Sequence, residues 1–364
     1  MKAAVLKAPY HISVEELRVP ALAPDQVLIE VEACGVCGSD IRYYMGENPW
    51  AMHTLGRHVP NPPNIVLGHE LSGTVVRSGS GAFDGLVGCR VAVLPYLECG
   101  RCPECLDGKP NLCAHMLHTG HSAGWEERDY YDGGMADFCP MWGIRCFLIP
   151  DSMSFEDAAL TDFVGVAVHA VRLAADVRER DVAVVGAGPV GLCIAQVARA
   201  WGARKVFLAE RSALAVRMAR GMGFDKAESL GDRPIDDWLL EVTRGLGVRC
   251  VWDTVGSADT LVQGIRSLAP RGSLVNLAVH DVGVNVAMTS LAAERVLTSS
   301  SNSTPADVRD AIDLVCRGAV DVQSMITHRF PLEQAPQAFA ELVEKDQHDM
   351  YKALIVVKSA SRHP

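Results

Sequence analysis

No uninterrupted apolar run in this 364-residue chain reaches the ~20 residues that a membrane-spanning helix needs. A basic cluster of the kind that grips nucleic acid is also missing. The 34 lysines and arginines are scattered, the 44 acids outnumber them, and the net charge is −10. That balance argues against a phosphate-binding surface as the chain's main business. The N-terminus runs from Met1-Lys2 into the apolar Ala3-Ala4-Val5-Leu6, without the design of a secretory signal. Internal repeats are absent too. We therefore expect a cytoplasmic enzyme with no membrane and no nucleic-acid partner.

What the chain does have is size and cysteine. Its length exceeds that at which a single core stops growing, so two domains are expected. Hydrophobic residues at 49% and charged residues at 21% are an ordinary globular balance. Twelve cysteines invite a disulfide reading, but the missing secretory signal weakens it. Metal binding then explains any cysteines found at close, regular spacing.

Residues 1–95 read as short strands, among them 27–33, 71–76 and 90–94, with Gly79, Gly81, Gly85 and Gly88 supplying turns. The 27–33 segment alternates imperfectly, as an exposed antiparallel strand would. Within this part, Cys37, His69 and Glu70 offer a thiolate, an imidazole and a carboxylate, all accepted by zinc. Cys34 completes a Cys-x-x-Cys outside any βαβ setting and reads as a small core residue. Cys99, Cys102, Cys105 and Cys113 lie within fifteen residues on Gly- and Pro-containing turns, the pattern of a closed, structural zinc site. His115, His118 and His121 follow on an irregular loop beside Gly120 and Gly124, and read as solvated side chains. His53 and His58 occupy a Pro-rich loop near the proposed metal, where they could help shape a substrate pocket.

The texture changes at Asp151. Ser154 caps a helix with early acids, and Asp162 is an acid among apolar neighbours, costly unless paired or ligating. Strand 181–185 then runs into Gly186-Ala187-Gly188-Pro189-Val190-Gly191 and an apolar helix, and a second strand, 205–209, ends at Glu210. The acid stands nineteen residues past the last glycine, which completes a dinucleotide-binding fingerprint. Gly186 makes the turn, Gly188 lets backbone approach a pyrophosphate, and Gly191 lets helix and strand pack closely. The helix N-terminus, beginning at Pro189 and Val190, supplies N–H groups to phosphate. Glu210 should accept hydrogen bonds from a ribose diol and repel a 2′-phosphate, favouring NAD over NADP, while Arg211 next to it could meet that phosphate. The α/β alternation continues through strands 248–253 and 273–279 and a helix near 258–268. It fades into the polar run 298–304, and the tail adds helices over 306–317 and 334–345 and a strand over 352–358.

Together these stretches resemble the zinc-containing medium-chain dehydrogenase/reductase (alcohol dehydrogenase) superfamily over essentially the whole chain. The matching residues are Gly35-Val36-Cys37-Gly38-Ser39-Asp40, Gly68-His69-Glu70, the four cysteines, Gly186 to Gly191, and Ile326-Thr327-His328-Arg329-Phe330-Pro331-Leu332. The nearest branch is that of sorbitol (polyol) and threonine dehydrogenases, where a glutamate follows the zinc-binding histidine. The resemblance implies an α/β protein with a GroES-like β-rich catalytic domain over 1–155, to which 300–364 return. A Rossmann domain with a doubly wound parallel sheet would fill 156–299. It further implies a homodimer or homotetramer joined through the Rossmann sheets, with one catalytic and one structural Zn²⁺ per chain. The implied reaction passes a hydride between a secondary alcohol (a polyol or amino alcohol) and NAD.

Carried over residue by residue, Cys37 and His69 bind the catalytic zinc and Glu70 is a carboxylate able to enter its shell. Asp162 falls where the branch has a glutamate ligand or a partner of the zinc-bound water, and Ser39 matches the hydroxyl that passes the substrate proton outward. Arg42 stands where many relatives carry a relay histidine. Serines and Asn302 occupy 299–303, where the sorbitol branch often has an Arg-Tyr pair, and the loops around 50–60 and 115–130 look longer than usual. Sorbitol itself is thus a poor expectation. Two rival readings are a zinc-free quinone or enone reductase of the same fold, and a non-catalytic NAD-binding protein.

Overall fold

A computed structural model describes residues 1–122, 128–344 and 347–357. Two compact units emerge: the first comprises Met1–Asp162, Thr304–Ile312 and the chain from Val322 onward, the second Phe163–Ser303 and Asp313–Asp321.

The first unit is β-rich. Its N-terminal segment forms β1 (Lys2–Ala8), β2 (His11–Glu16), β3 (Gln26–Gly35), β4 (Ile65–Val66), β5 (Glu70–Ser78), β6 (Arg90–Val93), β7 (Tyr96–Leu97), β8 (Leu117–His118), β9 (Phe138–Trp142) and β10 (Cys146–Leu148). Short helices interrupt it: α1 (Gly38–Tyr44), α2 (Pro49–Leu55), α3 (Pro103–Leu106) and α4 (Phe155–Ala159). The main sheet runs β10-β6-β5-β3 and continues into two strands from the chain's end, with β9 also paired to β3. A second sheet has the order β2-β1-β4, and β7 pairs with β8.

The 27–33 segment is central and not exposed. Val27, Ile29 and Val31 are fully buried, and so nearly are Leu28, Ala33 and Cys34. Its imperfect alternation reflects apolar residues needed on both faces, as in any strand covered on two sides.

The second unit is built on α5 (Thr161–Leu173, from Phe163 on), β11 (Asp181–Val185), α6 (Pro189–Ala200), β12 (Lys205–Glu210), α7 (Ala213–Gly221), β13 (Ala227–Ser229), α8 (Ile235–Val242), β14 (Val248–Asp253), α9 (Ala258–Arg266), β15 (Leu268–Asn276) and β16 (Val296–Ser299). All six strands are parallel, in the order β13-β12-β11-β14-β15-β16. The order reverses between β11 and β14, whose carboxyl ends flank the crevice where such sheets bind nucleotides. Apolar runs such as Val182-Ala183-Val184-Val185 are buried on both faces, as a covered parallel sheet requires.

Two expectations are revised here. The strand expected over 273–279 begins earlier, at Leu268, and stops at Asn276, so Leu277, Ala278 and Val279 leave the sheet. The polar run at 298–304 opens inside β16, whose four residues are all exposed at the sheet edge. An edge strand shows no apolar periodicity, so the run reads as loop.

The tail adds α10 (Pro305–Cys316), β17 (Ile326–Pro331), α11 (Ala335–Val343) and β18 (Lys352–Val356). β18 pairs with β3, setting Ile355 opposite Cys34 and bringing the chain's last described strand beside the Cys37 turn. Gly124, and the last residues of the segments expected over 334–345 and 352–358, lie outside the described residues. Among the described residues no helix is long and apolar enough to cross a membrane.

Candidate active site

β3 ends at Gly35, and Cys37 becomes the N-cap of α1. Asp40, three residues on, turns back so that Oδ2 accepts from the Cys37 N–H at 2.9 Å. Its other oxygen accepts from the Gly68 N–H at 3.3 Å. One fully buried carboxylate thus ties the Cys37 turn to the turn before His69. Gly68 has φ +93°, and a Cβ there would lie 2.6 Å from Cys34 Sγ, so this position admits only glycine. His69 and Glu70 follow at once, both buried. Donor atoms of Cys37, His69 and Glu70 all lie within 4.8 Å of one another. His69 Nδ1 is buried without a hydrogen bond, 3.6 Å from Asp40 Oδ1. Burial opposes ionisation of Asp40, but His69 and His121 outweigh it and hold its carboxyl well below the usual carboxylate range.

Glu70 has a partner the sequence analysis missed. Lys352 of β18 donates from Nζ to Glu70 Oε2 at 2.6 Å and to the Val36 carbonyl at 2.9 Å. A Cβ on Gly35 would collide with the same Glu70 oxygen. Asp162 lies outside the set of donors that converge within 4.8 Å. Burial pushes its carboxyl up to about 7, with Glu70 adding to the shift and His69 and Lys352 opposing it.

The histidine loop is not solvated as expected. His121 is buried, with Nε2 3.3 Å from Ser39 Oγ and 3.4 Å from Asp40 Oδ1. Its ring stacks on Tyr43 at 4.7 Å and meets that of His69 at 4.3 Å. His118 stacks on His121 at 5.0 Å and packs 4.6 Å from Trp50, which meets His53 at 5.4 Å. Only His115 of the three is exposed. Gly120, at φ +73°, explains the approach, since a Cβ there would lie 2.6 Å from the Gly68 carbonyl oxygen. A loop pressed onto a ligand turn has no periodicity to reveal it. Burial, with His69 nearby, pushes His121 down to about 4. Arg42 points elsewhere, donating from Nε to Glu47 Oε2 at 2.7 Å.

Cys99, Cys102, Cys105 and Cys113 bring their sulfurs within 4.8 Å of one another, and none is in a disulfide. The Cys99 and His115 N–H groups donate to Cys113 Sγ at 3.2 and 3.3 Å. Backbone donors from Arg101 and Cys102 bring the Cys99 thiol down to about 6, whereas desolvation, with the neighbouring sulfurs, pushes Cys105 up to about 12, and desolvation also pushes Cys113 up. Four thiol donors and no other partner chemistry suit zinc.

In the second unit, Gly186 has φ +89°, and a Cβ there would strike Thr254 Oγ1. A Cβ on Gly191 would strike the Gly186 carbonyl oxygen, while Gly188, the N-cap of α6, faces open space. The loop therefore presents bare backbone at the helix N-terminus, the arrangement that receives a pyrophosphate. Glu210 closes the loop from β12. Oε2 accepts from the Ala187 N–H at 2.6 Å, and Oε1 from the Arg211 and Ser212 N–H groups at 2.5 and 2.8 Å. Arg211 is exposed beside it.

Comparison with known proteins identifies the family. Residues 23–151 match the alcohol dehydrogenase GroES-like domain, and 189–317 match the zinc-binding dehydrogenase family. A probable D-xylulose reductase A from Aspergillus clavatus is 33% identical over 344 residues, covering 93% of this chain and 92% of its own. Among solved structures, an alcohol dehydrogenase from Escherichia coli CFT073 complexed with NADH is 25% identical (TM-score 0.86, 98% of this chain, 99% of that one). A putative zinc-binding dehydrogenase from Sinorhizobium meliloti 1021, bound to NADP, is 28% identical (TM-score 0.82, 98% and 99%). Two family-domain matches and a relative matched nearly end to end make this chain a member of the zinc-type medium-chain alcohol and polyol dehydrogenases.

Proposed function

We propose that the protein is an NAD-preferring, zinc-dependent dehydrogenase of secondary alcohols, with a polyol or amino alcohol as substrate. The observation that carries this reading is the convergence of the Cys37, His69 and Glu70 donors within 4.8 Å of one another, with His69 and Glu70 both buried. One thiol, one imidazole and one carboxylate suit a catalytic zinc, which leaves a position open. When bound, zinc acts as a Lewis acid that makes an alcohol easier to deprotonate. The four cysteines suit a second, structural zinc.

The chain's own residues do the rest. Asp40 orients the ligand turns, and Asp162 is a carboxyl near the centre able to hold or release a proton. Ser39 Oγ takes the substrate proton outward, and His121 Nε2, at 3.3 Å, receives it in place of the residue at position 42. Gly186, Gly188, Pro189, Val190 and Gly191 cradle the pyrophosphate. Glu210 supports NAD over NADP because its carboxylate would meet a 2′-phosphate with like charge, while Arg211 is placed to soften that preference. In this reading 1–155 with 300–364 carry the metals and 156–299 the coenzyme. Exposed Val296 and Leu297 on edge strand β16 support a homodimer or homotetramer, and twelve free thiols suit a reducing, cytoplasmic compartment.

The test is a panel of polyols, amino alcohols and simple secondary alcohols, run with NAD and NADP in parallel, beside metal analysis. We expect two zincs per chain and reduction of NAD by at least one member. A metal-free preparation that reduces quinones or enones would establish the zinc-free reductase instead. Zinc and NAD binding without turnover on any alcohol would point to a non-catalytic protein.

A further inference from the structure

Lys352 has no part in the reaction as described, yet it is buried against it. Its side chain is 5% exposed and that of Glu70 1%, with 2.6 Å between Nζ and Oε2. Burying a lysine is costly unless it is paired. The pairing alone would satisfy that cost at many carboxylates, but here it falls on a residue that offers a carboxylate oxygen within 4.8 Å of the Cys37 and His69 donors. Two further features aim the pair. Nζ also donates to the Val36 carbonyl, one residue before Cys37, and Gly35 lacks the Cβ that would fill the space of Oε2.

Resting on the zinc reading above, we propose that Lys352 is a positioning residue. By holding Oε2 it limits Glu70 to a single donor oxygen and so keeps a coordination position free for the alcohol. Carboxylates ligate through one oxygen or two, and hydrogen bonds from behind orient them. Without Lys352, Oε2 is free to turn to the centre and close the open position. Removing a cation from beside a dication also tightens the metal.

The experiment compares wild type, Lys352→Met and Lys352→Arg as full-length holoenzymes. Zinc release to EDTA is timed, and the visible spectrum of enzyme carrying cobalt(II) at the catalytic site is recorded before and after adding butane-2,3-diol. In Lys352→Met we expect zinc release slowed by about tenfold or more, the reverse of the weakening that loss of a hydrogen-bond partner behind a metal ligand ordinarily causes. The cobalt spectrum should no longer respond to the diol. Lys352→Arg keeps the cation and should recover the response. A Lys352→Met enzyme that releases zinc at the wild-type rate or faster, or whose cobalt spectrum still shifts, overturns the proposal. A merely structural role gives that result. Retained zinc at the four cysteines marks folded protein. Should Lys352→Met fail to fold, Lys352→Gln is read by the same two measurements, with the same direction expected and a smaller size. A wild-type chain without zinc at Cys37 refutes the zinc reading itself, an outcome distinct from any behaviour of Lys352.

Discussion

At the scale of single residues, the informative contrast is between Arg42 and His121. The resemblance directs attention to position 42, yet Arg42 is engaged with Glu47 and His121 lies 3.3 Å from the Ser39 hydroxyl. His121→Ala should lower kcat by about 10²-fold, the lower end of what a positioned acid–base group contributes. Arg42→Ala should leave kcat nearly unchanged, because a surface ion pair contributes only about 0–1 kcal/mol to stability and does not reach Ser39. Steady-state kinetics on both variants decides it, and equal losses would refute the His121 assignment. The proposed ligands Cys37, His69 and Glu70 could be picked out of the sequence because metal ligands must be of a few residue types. His121 could not, since its importance comes from a fold-back at Gly120 that leaves no pattern in the chain.

At the scale of elements, glycines set how closely backbones approach. Gly191→Ala would drive a methyl into the Gly186 carbonyl oxygen between β11 and α6. Overpacking of this kind costs typically 1–3 kcal/mol. We expect a lower Tm in calorimetry, and NAD titrations should show weakened binding because the phosphate loop is displaced. The proposed structural zinc should hold the four-cysteine lobe in a similar way, since the lobe has only the short helix α3, a 3-10 turn over Pro110–Leu112 and little apolar cover. Cys102→Ser should reduce the zinc content by one and open residues 99–113 to proteolysis. An unchanged digestion pattern would show that the lobe stands without metal. Elements with strong periodicity or sharp punctuation were legible. β11, α6 and β12 fall where the glycine fingerprint puts them. β16 was not, because an exposed edge strand of four residues shares its composition with loops.

At the scale of the whole molecule, the proposed chemistry is divided between two compact units. The proposed ligands Cys37, His69 and Glu70 belong to the first, and the Gly186–Gly191 loop with Glu210 to the second. Cys37→Ser should therefore abolish turnover while NAD binding, followed by fluorescence titration, stays within about twofold of wild type, or roughly 0.4 kcal/mol. Loss of both together would show that the metal site shapes the coenzyme loop and that the division is not functional.

By itself the amino-acid sequence determined the kinds of chemistry available. Thiolates, imidazoles and carboxylates stand at metal-ligand spacing, a glycine turn joins strand to helix, and an acid waits at the end of the next strand. Such features are local, since a few neighbouring residues suffice to create them. Only the tertiary structure decided which groups meet across long separations. It set Lys352 against Glu70, 282 residues apart, and His121 against Ser39, 82 apart. Such meetings depend on strand pairing and on loops pressed together by packing, and no window of sequence contains both partners.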